Sequence, residues 1–131
     1  MAAVLVPELY VSDLARSLAF YCGALGFRMV YERSEERFAY IERNGAEFML
    51  EEPVGRTWRA GPLEAPFGRG VNFQITVEDA AALKEAALFA GAPLVMDLEE
   101  KTYLRDDEPI RVRQCVVQDP DGYLLRFSEL L

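Results

Sequence analysis

Short stretches of alternating hydrophobic and polar residues fill this chain, and twice the alternation gives way to helical spacing. Residues 4–11 predict a strand, with Leu5, Leu9 and Val11 on one face and Val6, Glu8 and Tyr10 on the other. Pro7 assigns that strand to an edge or an irregular spot. Ser12-Asp13 caps a helix over 13–25, in which Leu14, Leu18, Tyr21 and Leu25 recur, and Gly26 stops it. Strands follow at 28–33 and 37–42, the second with Ala39 and Ile41 alternating against Phe38 and Tyr40. Asn44-Gly45 is a hairpin signal, and 46–52 is a fourth strand with Phe48 and Leu50 opposite Glu47, Met49 and Glu51.

Residues 53–70 break the pattern. They hold Pro53, Pro62 and Pro66, glycines 55, 61, 68 and 70, and Arg56, Trp58, Arg59, Phe67 and Arg69. Connections of this length are usually functional or disordered. The plan then restarts. Residues 71–77 form a strand with Val71, Phe73, Ile75 and Val77 inward and Asn72, Gln74 and Thr76 on the other face. Glu78-Asp79 caps a helix to about residue 90, and Gly91 ends it. Residues 94–103 are extended, Asp106-Asp107-Glu108-Pro109 turns, and 111–118 is a strand. Asp119-Pro120-Asp121-Gly122 turns again into an apolar closing strand. There Leu125 and Phe127 share one face, and Leu124, Arg126 and Ser128 the other.

The restart is an internal repeat. Asp13 and Asp79 stand 66 residues apart, Gly26 and Gly91 stand 65 apart, and Gly45 and Gly122 stand 77 apart. Each half reads β-α-β-β-β, and a repeat decides architecture more than any single motif does. The expected fold is α+β: two such modules side by side around a shared concave cleft, helices outside. Residues 1–53 would form the first module, 54–70 the connection and 71–131 the second, all in one domain. The faces turned from the helices mix polar and apolar groups, as ligand pockets do.

Composition narrows the chemistry. The chain has 131 residues, 51% hydrophobic, with 22 acidic and 14 basic side chains and a net charge of −8. That excess of acid disfavours nucleic acid; it either serves solubility alone or, compatibly with the same charge, favours a cationic small-molecule ligand. There is no histidine, which removes the commonest metal ligand and acid/base group. No apolar run is long enough to span a membrane, and no signal peptide is evident, so the expected location is the cytoplasm. Cys22 and Cys115 sit in apolar surroundings and read as reduced core residues.

The helix entry Val11-Ser12-Asp13-Leu14-Ala15-Arg16-Ser17-Leu18-Ala19-Phe20-Tyr21, Leu25-Gly26-Phe27 and the Asp119–Phe127 turn and strand, with the repeat, resemble the vicinal oxygen chelate superfamily. That superfamily includes glyoxalase I, extradiol dioxygenases, and fosfomycin and bleomycin resistance proteins. Its metal-dependent members place ligands on the first and fourth strands of each module. Transferred to this chain, those positions are Val6, Met49, Asn72 and Arg126. Val, Met, Asn and Arg cannot make the N/O site that a catalytic divalent metal requires, and Arg126 adds a fixed positive charge. No metal and no cofactor are therefore expected.

The remaining resemblance is to the metal-free bleomycin resistance branch, whose acidic, dimeric members sequester the antibiotic in clefts between subunits. The function this implies is non-catalytic binding of a small molecule by a homodimer, with antibiotic resistance as its outcome. The alternative is a glyoxalase-like lyase or isomerase using Glu8, Glu51 or Tyr10 as acid and base; a regulatory module using the same cleft is a third possibility. Candidate ligand-binding residues are Glu8, Tyr10, Phe38, Tyr40, Met49, Glu51, Trp58, Asn72, Gln74, Tyr103 and Arg126. Phe38, Tyr40 and Trp58 could stack on a planar ligand, or fill core and, for Trp58, a dimer contact. Glu8, Glu47 and Glu51 could hold a cation, or be solvated or paired with Arg126. Arg126 must be paired or bind an anion if it is buried. The pattern leaves the facing of Arg111 and Arg113 open.

Overall fold

The structure is a computed structural model, and it describes residues 3–131. It is α+β, two four-stranded mixed sheets each crossed by one helix. The chain divides into two compact units, one running to Glu64 and the other Ala65–Leu131.

The first unit contains β1 (Glu8–Tyr10), α1 (Leu14–Leu18), β2 (Arg28–Arg33), β3 (Phe38–Arg43) and β4 (Ala46–Glu51), in sheet order β1-β4-β3-β2. β1 runs parallel to β4, and the other pairs are antiparallel. Asn44 and Gly45 both take positive φ, 47° and 92°, which matches the twist of a two-residue hairpin. Leu9, Ala39 and Leu50 lie in one register row and Ile41 and Phe48 in another, all buried on the face that α1 covers. Tyr21 meets Phe20 and Phe27 edge-on there, with ring centres 5.3 and 5.5 Å apart.

Two expectations change in this unit. β1 is shorter than 4–11: Val4 and Leu5 are exposed, so Leu5 does not join Leu9 in the core. Pro7 still accepts a bond from Met49 N through its carbonyl but has no N–H to give, and the ladder starts after it. The helix also widens into a π-helix over Ala19–Ala24, with Leu25 N bonded to Phe20 O. Phe20 and Tyr21 are both buried as a result, while Leu18 is only half-buried.

The second unit repeats the plan: β5 (Asn72–Thr76), α2 (Ala80–Phe89), β6 (Leu94–Arg105), β7 (Glu108–Gln118) and β8 (Leu124–Leu130), in order β5-β8-β7-β6. Ile75, Val77, Cys115, Val117, Leu125 and Phe127 are buried on the side of Leu83 and Ala87 from α2. Val71 precedes the strand and is 48% exposed, so it is not inward. The turn closes at Asp106-Asp107, and β7 already includes Glu108 and Pro109. Arg111 and Arg113 share their face with Cys115. Arg111 pairs with Glu100, and Arg113 with Glu100 and Glu129, at 3.3–3.5 Å. Both cysteines are free, Cys115 buried and Cys22 half-buried.

Each helix start receives two carboxylates. Asp13 and Asp79 cap their own helices, accepting from Arg16 N and Ala82 N at 3.1 Å. A second acid arrives from the end of the fourth strand: Glu52 accepts from Leu14 N at 2.9 Å, and Glu129 from Ala80 N at 3.0 Å. These satisfy backbone donors that a helix start leaves without partners. The Leu14 N–H and then the Arg37 guanidinium hold the Glu52 carboxyl below the usual carboxylate range. The closing turn is similarly held: buried Asp119 accepts from Asp121 N and Tyr123 N, both at 2.9 Å. Phe67 N donates to Asp121 O, tying the end of the connection to that turn.

A lowered native pKa at Glu52 means stability present above the unfolded value and lost as pH falls through the native one. Glu52→Gln should therefore cost about 1 kcal/mol in urea unfolding at pH 7, the gap closing as acid protonates the wild-type carboxylate. The equivalent glycines offer a second test. Both have positive φ, but a Cβ on Gly45 meets nothing, whereas one on Gly122 meets Pro66 at 2.5 and 2.8 Å. Gly45→Ala should cost about 1 kcal/mol and Gly122→Ala about 3 or more, measured by the same unfolding.

Candidate ligand-binding site

The face of the first sheet opposite α1 collects most of the sequence-predicted residues. Strand register aligns Tyr31, Tyr40, Met49 and Glu8 in one row and Arg33, Phe38, Glu51 and Tyr10 in the next. Glu8, Tyr10, Phe38, Tyr40, Met49 and Glu51 thus share one surface. Trp58 joins them through its backbone, whose N–H donates to the Tyr10 hydroxyl at 2.9 Å. Its ring is 68% exposed, with the Arg56 guanidinium 4.5 Å from the ring centre, so it fills no core. The same connection outlines an open depression of about 620 Å³ lined by Thr57, Arg59, Ala60, Gly61, Pro62 and Leu63.

Tyr31 and Arg33 are neighbours that strand parity did not find. Tyr31 stacks on Tyr40 with ring centres 5.3 Å apart and planes 19° apart. Arg33 lies 3.9 Å over the Phe38 ring. A bulge explains the omission. Met29 opposes Ile41 on the helix side, yet Tyr31 opposes Tyr40, because the register shifts between them. One extra residue moves the following side chains to the other face. β2 holds a single aromatic, Tyr31, and nothing in its sequence marks the bulge.

Charge on this face is unevenly settled. Glu47 is committed, accepting from the Tyr40 hydroxyl and from Ala3 N. That bond to Glu47, then burial, pushes the Tyr40 phenol up to about 12. The Glu8 and Glu51 side chains make no hydrogen bond or ion pair among the described residues. Burial, then the charges of Glu8 and Glu36, raises the Glu51 carboxyl above the usual range, with Arg33 opposing.

In the second unit, Gln74 and Arg126 are register partners, and Asn72 pairs with Leu124 on the same face. The Arg126 Nη2 donates to Gln74 Oε1. Tyr103 lies further along that face, where its hydroxyl accepts from the buried Gln114 at 2.7 Å. Gln114 also donates to Glu99. Gln114 was not among the predicted residues. The stretch Arg111–Gln118 reads equally well in either facing until β8 pairs with it.

A matching family model, the Glyoxalase/Bleomycin resistance protein/Dioxygenase superfamily, spans residues 3–127. The chain belongs to this superfamily. Bleomycin resistance proteins from Geobacillus stearothermophilus and Staphylococcus aureus are 29% identical over 130 residues, covering 95% of this chain and 94% of theirs. The fold also matches TioX from Micromonospora sp. ML1 (TM-score 0.67, 22% identity, 99% of this chain and 100% of that one). It matches lactoylglutathione lyase from Agrobacterium tumefaciens as well (TM-score 0.64, 18% identity, 98% and 94%).

The superfamily's metal positions do not fit a metal in this chain. Val6 has no donor atom, Met49 offers a thioether, Asn72 an amide and Arg126 a cation. Among the described residues, no three His, Cys, Asp or Glu side chains converge. No described helix is long and apolar enough to cross a membrane. Because Glu8 raises the Glu51 pKa, Glu8→Gln should lower it, and carboxyl ¹³C NMR titration of the Glu51 side chain reads that shift directly.

Proposed function

We propose that this superfamily member is a metal-free binding protein that sequesters a cationic, ring-bearing small molecule, such as a bleomycin-class antibiotic, without altering it. One observation carries the reading. Glu8 and Glu51 stand without partners among the described residues, beside the aromatic surface of Tyr31, Phe38 and Tyr40. A half-buried pair of neighbouring carboxylates attracts a cation, and stacked rings accept a planar group or the cation itself. Tyr10, Met49 and Trp58 complete the proposed contact surface of the first sheet; on the second sheet, taken by itself, Asn72, Gln74, Tyr103 and Arg126 are proposed as polar ligand-binding residues.

The likeness to the two bleomycin resistance proteins supports the ligand class. By the same likeness the chain acts as a cytoplasmic homodimer, with the ligand held in a cleft that a second copy completes. A second reading, a lyase or isomerase, draws on the raised Glu51 pKa, which suits a proton-transferring group.

Calorimetric titration with bleomycin should give one ligand per protomer and a dimer by light scattering. The double variant Glu8→Gln, Glu51→Gln should weaken binding at least tenfold, about 1.4 kcal/mol. No heat and no thermal shift at millimolar ligand would remove this ligand class. Stoichiometric Ni, Zn or Mn in the purified protein would favour the enzyme instead.

A further inference from the structure

The second sheet holds a guanidinium in surroundings that supply it no anion. Arg126 sits between Gln74 on β5 and Val116 on β7. The adjoining register rows are Asn72–Leu124–Gln118 and Thr76–Ser128–Gln114–Glu99, uncharged except for Glu99 at the far end of the second. That acid, Glu99, already accepts from Gln114 at 3.1 Å. Arg126 gives one bond to Gln74, and its Nε is buried with no partner. No carboxylate pairs with it among the described residues.

That isolation is unusual for this composition. The chain carries 22 acidic side chains against 14 basic ones. On the opposite face of the same sheet, Arg113 reaches two of them, Glu100 and Glu129. An arginine placed for stability alone would have carboxylates available. A buried N–H without a partner is destabilising, and an arriving oxygen anion would remove that cost. The guanidinium fork also matches a carboxylate in shape and charge. The neutral side chains around it add hydrogen-bond capacity without repelling an anion.

We infer that Arg126 and Gln74 form an oxyanion-recognition subsite that takes the carboxylate of a small-molecule ligand. This deepens the binding reading above and rests on it for the face being a ligand face.

The test follows the Arg126 Nε–H signal of the ¹⁵N-labelled full chain, assigned by its loss in Arg126→Lys. Sodium benzoate should shift that signal saturably at millimolar concentration, and neutral benzamide should not. Arg126→Gln, checked for an unchanged melting temperature, should lower benzoate affinity at least tenfold, and Arg126→Lys less. No saturable shift with benzoate, or equal shifts with benzamide, would overturn the subsite. The same signal is also assigned through bonds in triple-resonance spectra of the wild type, so the wild-type titration decides this even if a variant fails to fold. Bleomycin calorimetry on the same sample separates the two ideas. A benzoate shift without bleomycin heat retains the subsite and removes the bleomycin reading. Bleomycin heat without a benzoate shift does the reverse.

Discussion

The parallel pairing of each module's first strand with its fourth is the constraint on which the rest depends. It sets Glu8 beside Met49 and Tyr10 beside Glu51 in the first unit, and Gln74 beside Arg126 in the second. It also ends each fourth strand at the start of its helix, where Glu52 and Glu129 accept a backbone N–H that would otherwise lack a partner. A parallel pair needs a crossover, and the helix provides it. The acid at the end of the strand therefore links sheet, crossover and register.

The same scaffold carries two different surfaces. The first sheet turns rings and unpaired carboxylates to the face away from its helix. The second turns Asn72, Gln74, Thr76, Ser128 and Gln114 to it, with the Arg126 cation in their midst. Register explains how repeats of one plan can differ so far. Inward positions are constrained by packing against a helix, while the other face is free to vary. In a fold that hosts several chemistries, that variable face is where function is decided.

Much of this was legible from local signals. The capping residues Asp13 and Asp79, the positive-φ glycines 26, 45, 91 and 122, and the two-residue alternation of β3, β4, β5 and β8 each act within a few residues. Their physical effect is local, and the structure contains the elements they predict. The grouping of Glu8, Tyr10, Phe38, Tyr40, Met49 and Glu51 on one face followed from parity alone. Tyr31 and Arg33 escaped because the β2 bulge breaks parity without a sequence mark. Gln114 escaped because a strand with apolar residues at both parities has no preferred face until a neighbour pairs with it.

Sequence alone determined the repeat, the element order and the residue types that alternate along each strand. Those depend on residue identity, turn geometry and spacing, all short-range properties. Tertiary structure decided which carboxylates are left without partners. Glu47 is taken by Tyr40, Glu52 and Glu129 by helix starts, Glu99 by Gln114 and Glu100 by arginines. Glu8 and Glu51 are taken by nothing among the described residues. That distinction arises from contacts between distant strands, and a side chain's partner is a property of the pairing rather than of its neighbours in the chain.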